Sequence, residues 1–419
     1  MPRFANPLIG TDAGAALDLI STSARLLFAN GQSTERMTAA VEQLSASTAV
    51  RASVFPRWGE LMVRLEDVSG SHYQIVAALP AGVDMNKVVA TTGVIDRFCD
   101  GAMDAVAAKS ALEAIDHLPP VSTARFALMA AAGAAALGVI FGATHWVSLV
   151  GIAISAGAGA CLRRWLARKS GNLFLQPLCA ALLAGVIGAI FFRMQWSSVL
   201  RLVALCPCMV LAPGPHFLNG GIDLARGRIA LGAARVAYAS LVTVMICAGL
   251  LAGLALGGVT LPASGPSHVV AIEYDVVAAG VAVAAYGTFF AMPWRMLPVP
   301  MLIGMLAHAL HWVAITEAHM STVMGAFVAC LVVGVLMTPI ADNSRLPFAG
   351  LAFASVVSLI PGVFLFRMAG GMTELATLGT KAPQDLLAQV FADGATAFLV
   401  ILAMIFGLIV PKMCIEHLH

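Results

Sequence analysis

Charge is what this sequence has least of. Asp, Glu, Lys and Arg together make up 11% of its 419 residues, against roughly 25% in a typical soluble chain, so most of it cannot face water. The net charge is +2 and no basic stripe runs through the chain, so nothing points to a nucleic-acid partner. A phosphate-binding glycine loop with its lysine is missing, which argues against ATP-driven work. No nucleophile elbow and no cluster of metal-ligating side chains is present, so neither catalysis nor a metal or cofactor is expected. The eight cysteines are scattered mostly through apolar segments, where a thiol behaves as a small hydrophobe. Cys206 and Cys208 form the one close pair, without histidine or further cysteine at metal-ligand spacing. The chain opens without a basic stretch leading into a short apolar core, so no cleavable signal is expected.

What is there is mostly apolar, 60% of the chain. About half of all acids and bases fall within residues 1–120, which predicts a cytoplasmic domain over 1–120 and a membrane domain beyond it. Runs near the ~17–25 residues that cross a bilayer lie at about 124–142, 146–162, 175–192, 198–214, 231–257, 270–291, 297–314, 321–340, 347–366 and 387–410. Ten spans divide into two sets of five, over 121–260 and 261–419. Basic residues set the orientation. With the N-terminus inside, the cytoplasmic loops hold Arg163, Arg164, Arg168 and Lys169, then Arg226 and Arg228, Arg295 and Arg345, with Lys412 at the end. The opposite loops hold Arg193, Arg367 and Lys381. Both termini are therefore expected in the cytoplasm. An odd number of spans per half makes the second half enter from the other side, as an inverted repeat.

The first 120 residues read as a small α+β domain of order ααβββα. An apolar helix from Ala13 to Ala29 ends at Asn30-Gly31, where the left-handed cap is tolerated, and Ser33 or Thr34 caps a second helix to about Ser47. Strands are expected at Val50–Pro56, Glu60–Glu66 and Tyr73–Leu79, with Asp67–Ser71 as a turn, and one long amphipathic helix from about Asp84 to Ile115.

Two Pro-Gly pairs interrupt the fourth span of each set, at Pro213-Gly214 and Pro361-Gly362. Proline removes a backbone donor and glycine is costly in a helix, so both should break it. Freed backbone groups at membrane depth persist only where they are buried in protein or line a wet cavity. Interrupted segments at matching places in two halves are the best sequence pointer to a transporter's binding site.

The segment Leu26-Leu27-Phe28-Ala29-Asn30-Gly31-Gln32-Ser33-Thr34-Glu35-Arg36 resembles the N-terminal signature of the threonine/serine exporter family. Leu211-Ala212-Pro213-Gly214-Pro215-His216-Phe217-Leu218-Asn219-Gly220-Gly221-Ile222-Asp223 is similar to that family's fourth-span motif, in which Pro-Gly is followed by an Asn and, four residues later, an Asp. The second half, with Leu359-Ile360-Pro361-Gly362, is similar to the partner domain. Met37-Thr38 stands where an acid usually follows the signature Arg, and His216 where the family is usually apolar. The resemblance implies a multi-pass protein of the bacterial cytoplasmic (inner) membrane that exports threonine and serine, or small dicarboxylates, by proton antiport. The partners so implied are the substrate, protons and the lipid bilayer, and a homo-oligomer is compatible with the sequence.

A zwitterionic amino acid needs an acceptor for its ammonium and donors for its carboxylate, and broken helices supply both at their ends. The candidate substrate residues are Pro213, Gly214, Asn219, Asp223, Arg235, Pro361 and Gly362. Asn219 and Asp223 share a helical face. Asp223 is placed either to hold an ammonium or proton or to cap the cytoplasmic end beside Arg226 and Arg228. Arg235 is placed to attract a carboxylate or to snorkel to the interface. Proton-coupling candidates are Asp223, Glu273, Asp275 and Asp393. Glu273 and Asp275, two apart, point to different faces, so one of them at most meets a cavity. His308 and His311 sit one turn apart near Glu317 and His319 and are expected at the outer end. Two rival classes stand beside the carrier: a membrane-bound metabolite sensor and a membrane enzyme.

Overall fold

The structure, a computed structural model, describes residues 13–48, 50–67, 70–143, 145–196, 201–261, 270–344 and 346–418. Arg345 and residues 197–200 of the expected fourth span lie outside them.

The N-terminal portion follows from its capping chemistry. Helix α1 (Ala13–Ala29) buries Ile20, Ala24, Leu27 and Phe28, and ends where Gly31 takes φ +92°, a conformation glycine adopts without penalty. Helix α2 (Thr34–Thr48) starts with the Arg36 amide donating to the Ser33 hydroxyl (3.4 Å). Strands β1 (Arg51–Arg57), β2 (Gly59–Asp67) and β3 (Gly70–Ala78) form an antiparallel meander, with Val54 opposite Val63 and Val63 opposite Gln74. Leu61, Val63 and Leu65 of β2 are fully buried under α1 and its neighbours. β3 begins three residues before Tyr73, so the pairing reaches further into the expected turn; Val68 and Ser69 lie outside the described residues.

One expectation fails here. The single helix over 84–115 is two, α3 (Met85–Cys99) and α4 (Ala105–Asp116). Gly101 takes φ +72°, and the Asp104 carboxylate accepts the Ala107 amide (2.7 Å) as a new N-cap. The order is ααβββαα. Apolar periodicity alone cannot see a stop-and-restart whose two helices keep a common buried face.

Beyond residue 122, eight helices among the described residues are long and apolar enough to cross a bilayer, and two further pairs are bent at a break, which makes up to ten spans. The eight are α5 (Thr123–Ile140), α6 (Trp146–Lys169), α7 (Leu175–Arg193), α10 (Ile229–Leu256), α11 (Ile272–Phe289), α12 (Pro298–Thr316), α13 (Thr322–Asn343) and α16 (Gln384–Leu418). The bent pairs are α8 (Leu202–Met209) with α9 (Gly214–Ala225), at 45°, and α14 (Phe348–Val356, extended by a 3₁₀ turn to Leu359) with α15 (Gly362–Leu378), at 64°.

Helix α6 outruns its expected end at 162. Cys161 to Lys169 contains no breaker until Ser170-Gly171, so Arg163, Arg164 and Arg168 stand on a helix and not in a loop. Arg367 likewise lies inside α15 and not in an opposite loop.

The two sets of helices share one pattern of neighbours. In the first, α5 packs on α6 and α8, α6 on α7 and α8, α7 on α8 and α10, and α9 on α10. In the second, α11 packs on α12 and α14, α12 on α13 and α14, α13 on α14 and α16, and α15 on α16. The α7–α10 contact runs backbone to backbone: a Cβ at Gly249 or Gly253 would lie 2.2 Å from the carbonyl of Leu178 or Leu182. On α13–α16, a Cβ at Gly407 would lie 2.9 Å from the Phe327 carbonyl. Small residues let apolar helices approach this closely where the hydrophobic effect gives no preference.

The α/β portion docks on the side where α9 turns into α10, α11 into α12, and where α13 ends, and the end of α16 reaches the same side through Arg226. The Met85 amide donates to the Phe290 carbonyl (2.8 Å), Glu35 pairs with Arg228, Arg36 with Asp342, and Arg226 with Glu416. Both ends of the described chain therefore meet on one side.

Candidate functional site

The two Pro-Gly breaks face each other. After α8 the chain tightens, the Leu211 amide donating to the Cys208 carbonyl (3.1 Å) and the Ala212 amide to that of Met209 (3.2 Å). The Tyr286 hydroxyl also donates to the Met209 carbonyl (2.7 Å), which satisfies a helix-end acceptor from a side chain of α11. A Cβ at Gly214 would stand 1.6 Å from the Phe353 ring of α14, and one at Gly362 would stand 2.9 Å from Met209 Cγ of α8. Each glycine makes room for a side chain of the other broken span.

Three cavities meet at these breaks. A small one of about 70 Å³ lies between them, lined by Met209, Pro213, Gly214, Phe353, Pro361 and Gly362 among others, and its walls are almost wholly apolar. On the side of the α/β portion a cavity of about 300 Å³ shares Ala212 and Pro213 with it and adds Val83, Arg163, Gln176, His216, Tyr238 and Tyr286. A third, of about 230 Å³, shares Ile360 and Pro361 and adds Asp275, His308, His311, Trp312 and Ser358. Pro213 and Pro361 thus each stand at the joint between the apolar cavity and a more polar one.

The remaining substrate candidates, Asn219, Asp223 and Arg235, line none of these three cavities. Asn219 and Asp223 do share a buried face of α9. Asn219 donates to the Gly31 carbonyl (3.3 Å), and Asp223, 1% exposed, pairs with Arg235 at 3.3 Å and Arg228 at 3.5 Å. Arg235 is 2% exposed, with its guanidinium 5.3 Å from the Phe28 ring. It neither snorkels to water nor lines any of the cavities described, and its carboxylate partner comes from its own chain. Asp223 and Arg235 pin α9 and α10 to the α1–α2 turn. Nearby Glu35, outside the spans, is raised by burial, but the Arg228 hydrogen bond and the Arg228 and Arg226 charges outweigh this and hold its carboxyl below the ordinary value.

Among the acids of the second half, Glu273 is exposed and Asp275 buried, as their spacing requires. Asp275 Oδ2 lies 2.6 Å from His308 Nδ1, and the other ring nitrogen of His308 is buried without a partner. Asp393 is buried against Arg367 at 3.2 Å and Gln389 at 3.4 Å.

His308, His311 and Arg163 line cavities, although the sequence pattern points to an outer end for the histidines and a loop for the arginine. For Arg163 a contrary signal exists. Gly151, Ser155, Gly159 and Arg163 recur every fourth residue, so the arginine continues a small-residue stripe of α6 whose first three members are buried. For the Asp275–His308 pair there is none, because 33 residues separate the partners.

Comparison with known proteins adds the relationship. The family described as "Putative threonine/serine exporter" matches residues 18–257, and the one described as "Threonine/Serine exporter, ThrE" matches residues 275–414. The chain is 25% identical over 341 residues to a "Probable threonine/serine exporter" of Mycobacterium tuberculosis. That match covers 71% of the chain and 60% of the relative, so the chain spans less than two thirds of the relative's length. No solved structure matches.

Proposed function

The chain belongs to the threonine/serine exporter family, and from that premise we propose that it exports threonine and serine across the bacterial cytoplasmic membrane by proton antiport. The single observation that carries this reading is the run of three cavities joined at Pro213 and Pro361. An exporter needs a wet site reachable from each side and a barrier between them. Here the two more polar cavities are those sites, and the small, almost wholly apolar cavity of about 70 Å³ between the breaks is the barrier. Pro213, Gly214, Pro361 and Gly362 are the residues substrate passes, while Asn219, Asp223 and Arg235 hold α9 and α10 in place beside them.

We assign residues 1–120 to a cytoplasmic domain and 121–260 and 261–419 to five-span repeats of inverted orientation. The shared pattern of neighbours and the paired breaks support the repeat. Basic residues near the docked side support cytoplasmic termini. Asp275 is the preferred proton site of the four candidates: Asp223 and Asp393 face arginines, Glu273 faces out, and Asp275 alone of the four touches a histidine at a cavity. Dicarboxylate export is disfavoured, since Arg235 is already paired.

Purified protein in liposomes loaded with labelled threonine tests this. Efflux should rise with an inward proton gradient and fall when an uncoupler collapses it. Efflux indifferent to the gradient removes the antiport, and retention of threonine with release of labelled succinate moves the substrate to dicarboxylates.

A further inference from the structure

Arg163 is the one strongly basic side chain among the described residues lining the 300 Å³ cavity. Its Nε is buried without a hydrogen-bond partner. No carboxylate among the described residues lies within ion-pair distance of it, although Arg235, Arg228, Arg226 and Arg367 all have acids. The aromatic face it meets, Phe126 with its centroid 5.7 Å from the guanidinium, softens the field but does not neutralise a charge. A guanidinium taken out of bulk water without a counter-ion is costly, and arginine, always protonated, cannot relieve that cost by losing its proton. An anion in the cavity would supply the counter-charge that the protein itself does not place beside Arg163.

The rest of the lining says which anion. The same lining includes Val210, Leu211 and Ala212, where α8 ends, and the last turn of a helix carries its partial negative charge. Gln176, His216 and Tyr238 add neutral donors and acceptors. Tyr238 is held from three sides by Trp58, Phe174 and His216, at ring distances of 5.0, 5.8 and 5.0 Å, and Trp58 comes from the α/β portion. One cation and one helix carboxyl end in a single cavity of about 300 Å³ match a small zwitterion and not a doubly charged acid.

We propose that Arg163 binds the α-carboxylate of the exported amino acid in the cavity beneath the α/β portion, with the ammonium directed to the end of α8. This rests on the amino-acid reading above for the ammonium, and on the cavity alone for the carboxylate.

Binding to the full-length protein in nanodiscs, measured by calorimetry, tests it with L-threonine, L-threoninamide and succinate as probes. The amide keeps the ammonium and side chain and removes only the carboxylate charge. Wild type should bind threonine more tightly than the amide by about 10- to 100-fold, the worth of a charged hydrogen-bonded contact. Arg163→Gln should erase that preference and leave amide binding within about twofold. Arg163→Lys, which keeps the charge without the planar fork, should fall between them, and it serves if Arg163→Gln does not fold. An Arg163→Lys or Arg163→Gln protein that keeps the full preference overturns the proposal, as does a wild type that binds neither carboxylate. Succinate bound in place of threonine, and lost in Arg163→Gln, supports the carboxylate site while overturning the amino-acid reading.

Discussion

The two cavities flanking the breaks sit in matching places of a repeated helix arrangement, yet carry opposite chemistry. Beside Pro213 a cation stands without an acid; beside Pro361 an acid stands against a histidine. The skeleton is shared because close helix approach at glycine and Pro-Gly breaks depend on small residues at fixed places, which both halves supply. The polar groups are free to differ because none of them lines both of these cavities. Duplicated packing with unlike titratable groups separates, in one fold, a place suited to an anion from a place suited to a proton.

That comparison can be broken most forcefully at the buried charges. Asp223→Asn leaves Arg235 buried without its carboxylate and should cost about 3–5 kcal/mol, read as a large loss of melting temperature in purified protein. Asp275→Asn leaves His308 a side-chain amide in place of its carboxylate partner, so its cost should be about 1–3 kcal/mol, while gradient-driven threonine efflux is lost. Equal destabilisation by the two changes would mean that both pairs are structural, and the assignment of Asp275 to coupling would fall.

A smaller effect separates the breaks themselves. Gly214→Ala must displace the buried Phe353 ring, at about 1–3 kcal/mol for an overpacked core. Gly362→Ala meets the flexible Met209 side chain and should cost at most about 1 kcal/mol, the low end of overpacking. Restoration of Gly214→Ala by Phe353→Leu in a double-mutant cycle checks that the ring is the obstacle.

The smallest effect lies at the docked surface. Glu35 has its carboxyl held below the ordinary 4.5 despite burial, so its contribution is complete above that pH and is lost as pH falls below it. Glu35→Gln should flatten the acid side of a melting-temperature profile by about 1 kcal/mol, the upper end for a partly exposed pair, and leave pH 7 to 8 parallel to wild type. Arg36→Ala, which breaks the half-exposed pair with Asp342, should change stability by about 0–1 kcal/mol.

Much of this architecture is legible in the residues alone. Hydropathy places the cores of the spans, although α6, α9, α15 and α16 run seven to twelve residues past their expected ends, and the Pro-Gly pair in the fourth span of each set marks where the bends of 45° and 64° fall. The ends of helices are less legible. Arg163 reads as a loop residue because positive charge marks span boundaries, whereas α6 continues for lack of a breaker. Residues 84–115 read as one long helix because capping by Asp104 and the left-handed Gly101 are local events inside a continuous apolar pattern.

By itself, the sequence determined the apolar content, the family, the number of candidate spans and the places where helices must stop, because those depend on composition and on the backbone chemistry of proline and glycine. Which acid meets which base was decided only by the tertiary structure. Asp223 and Arg235 stand twelve positions apart, Asp275 and His308 thirty-three, and Arg36 and Asp342 306. Coulomb attraction acts through space and leaves no periodicity in a single sequence. The same holds for Arg163, whose want of an acid is a property of what surrounds it once the helices have packed.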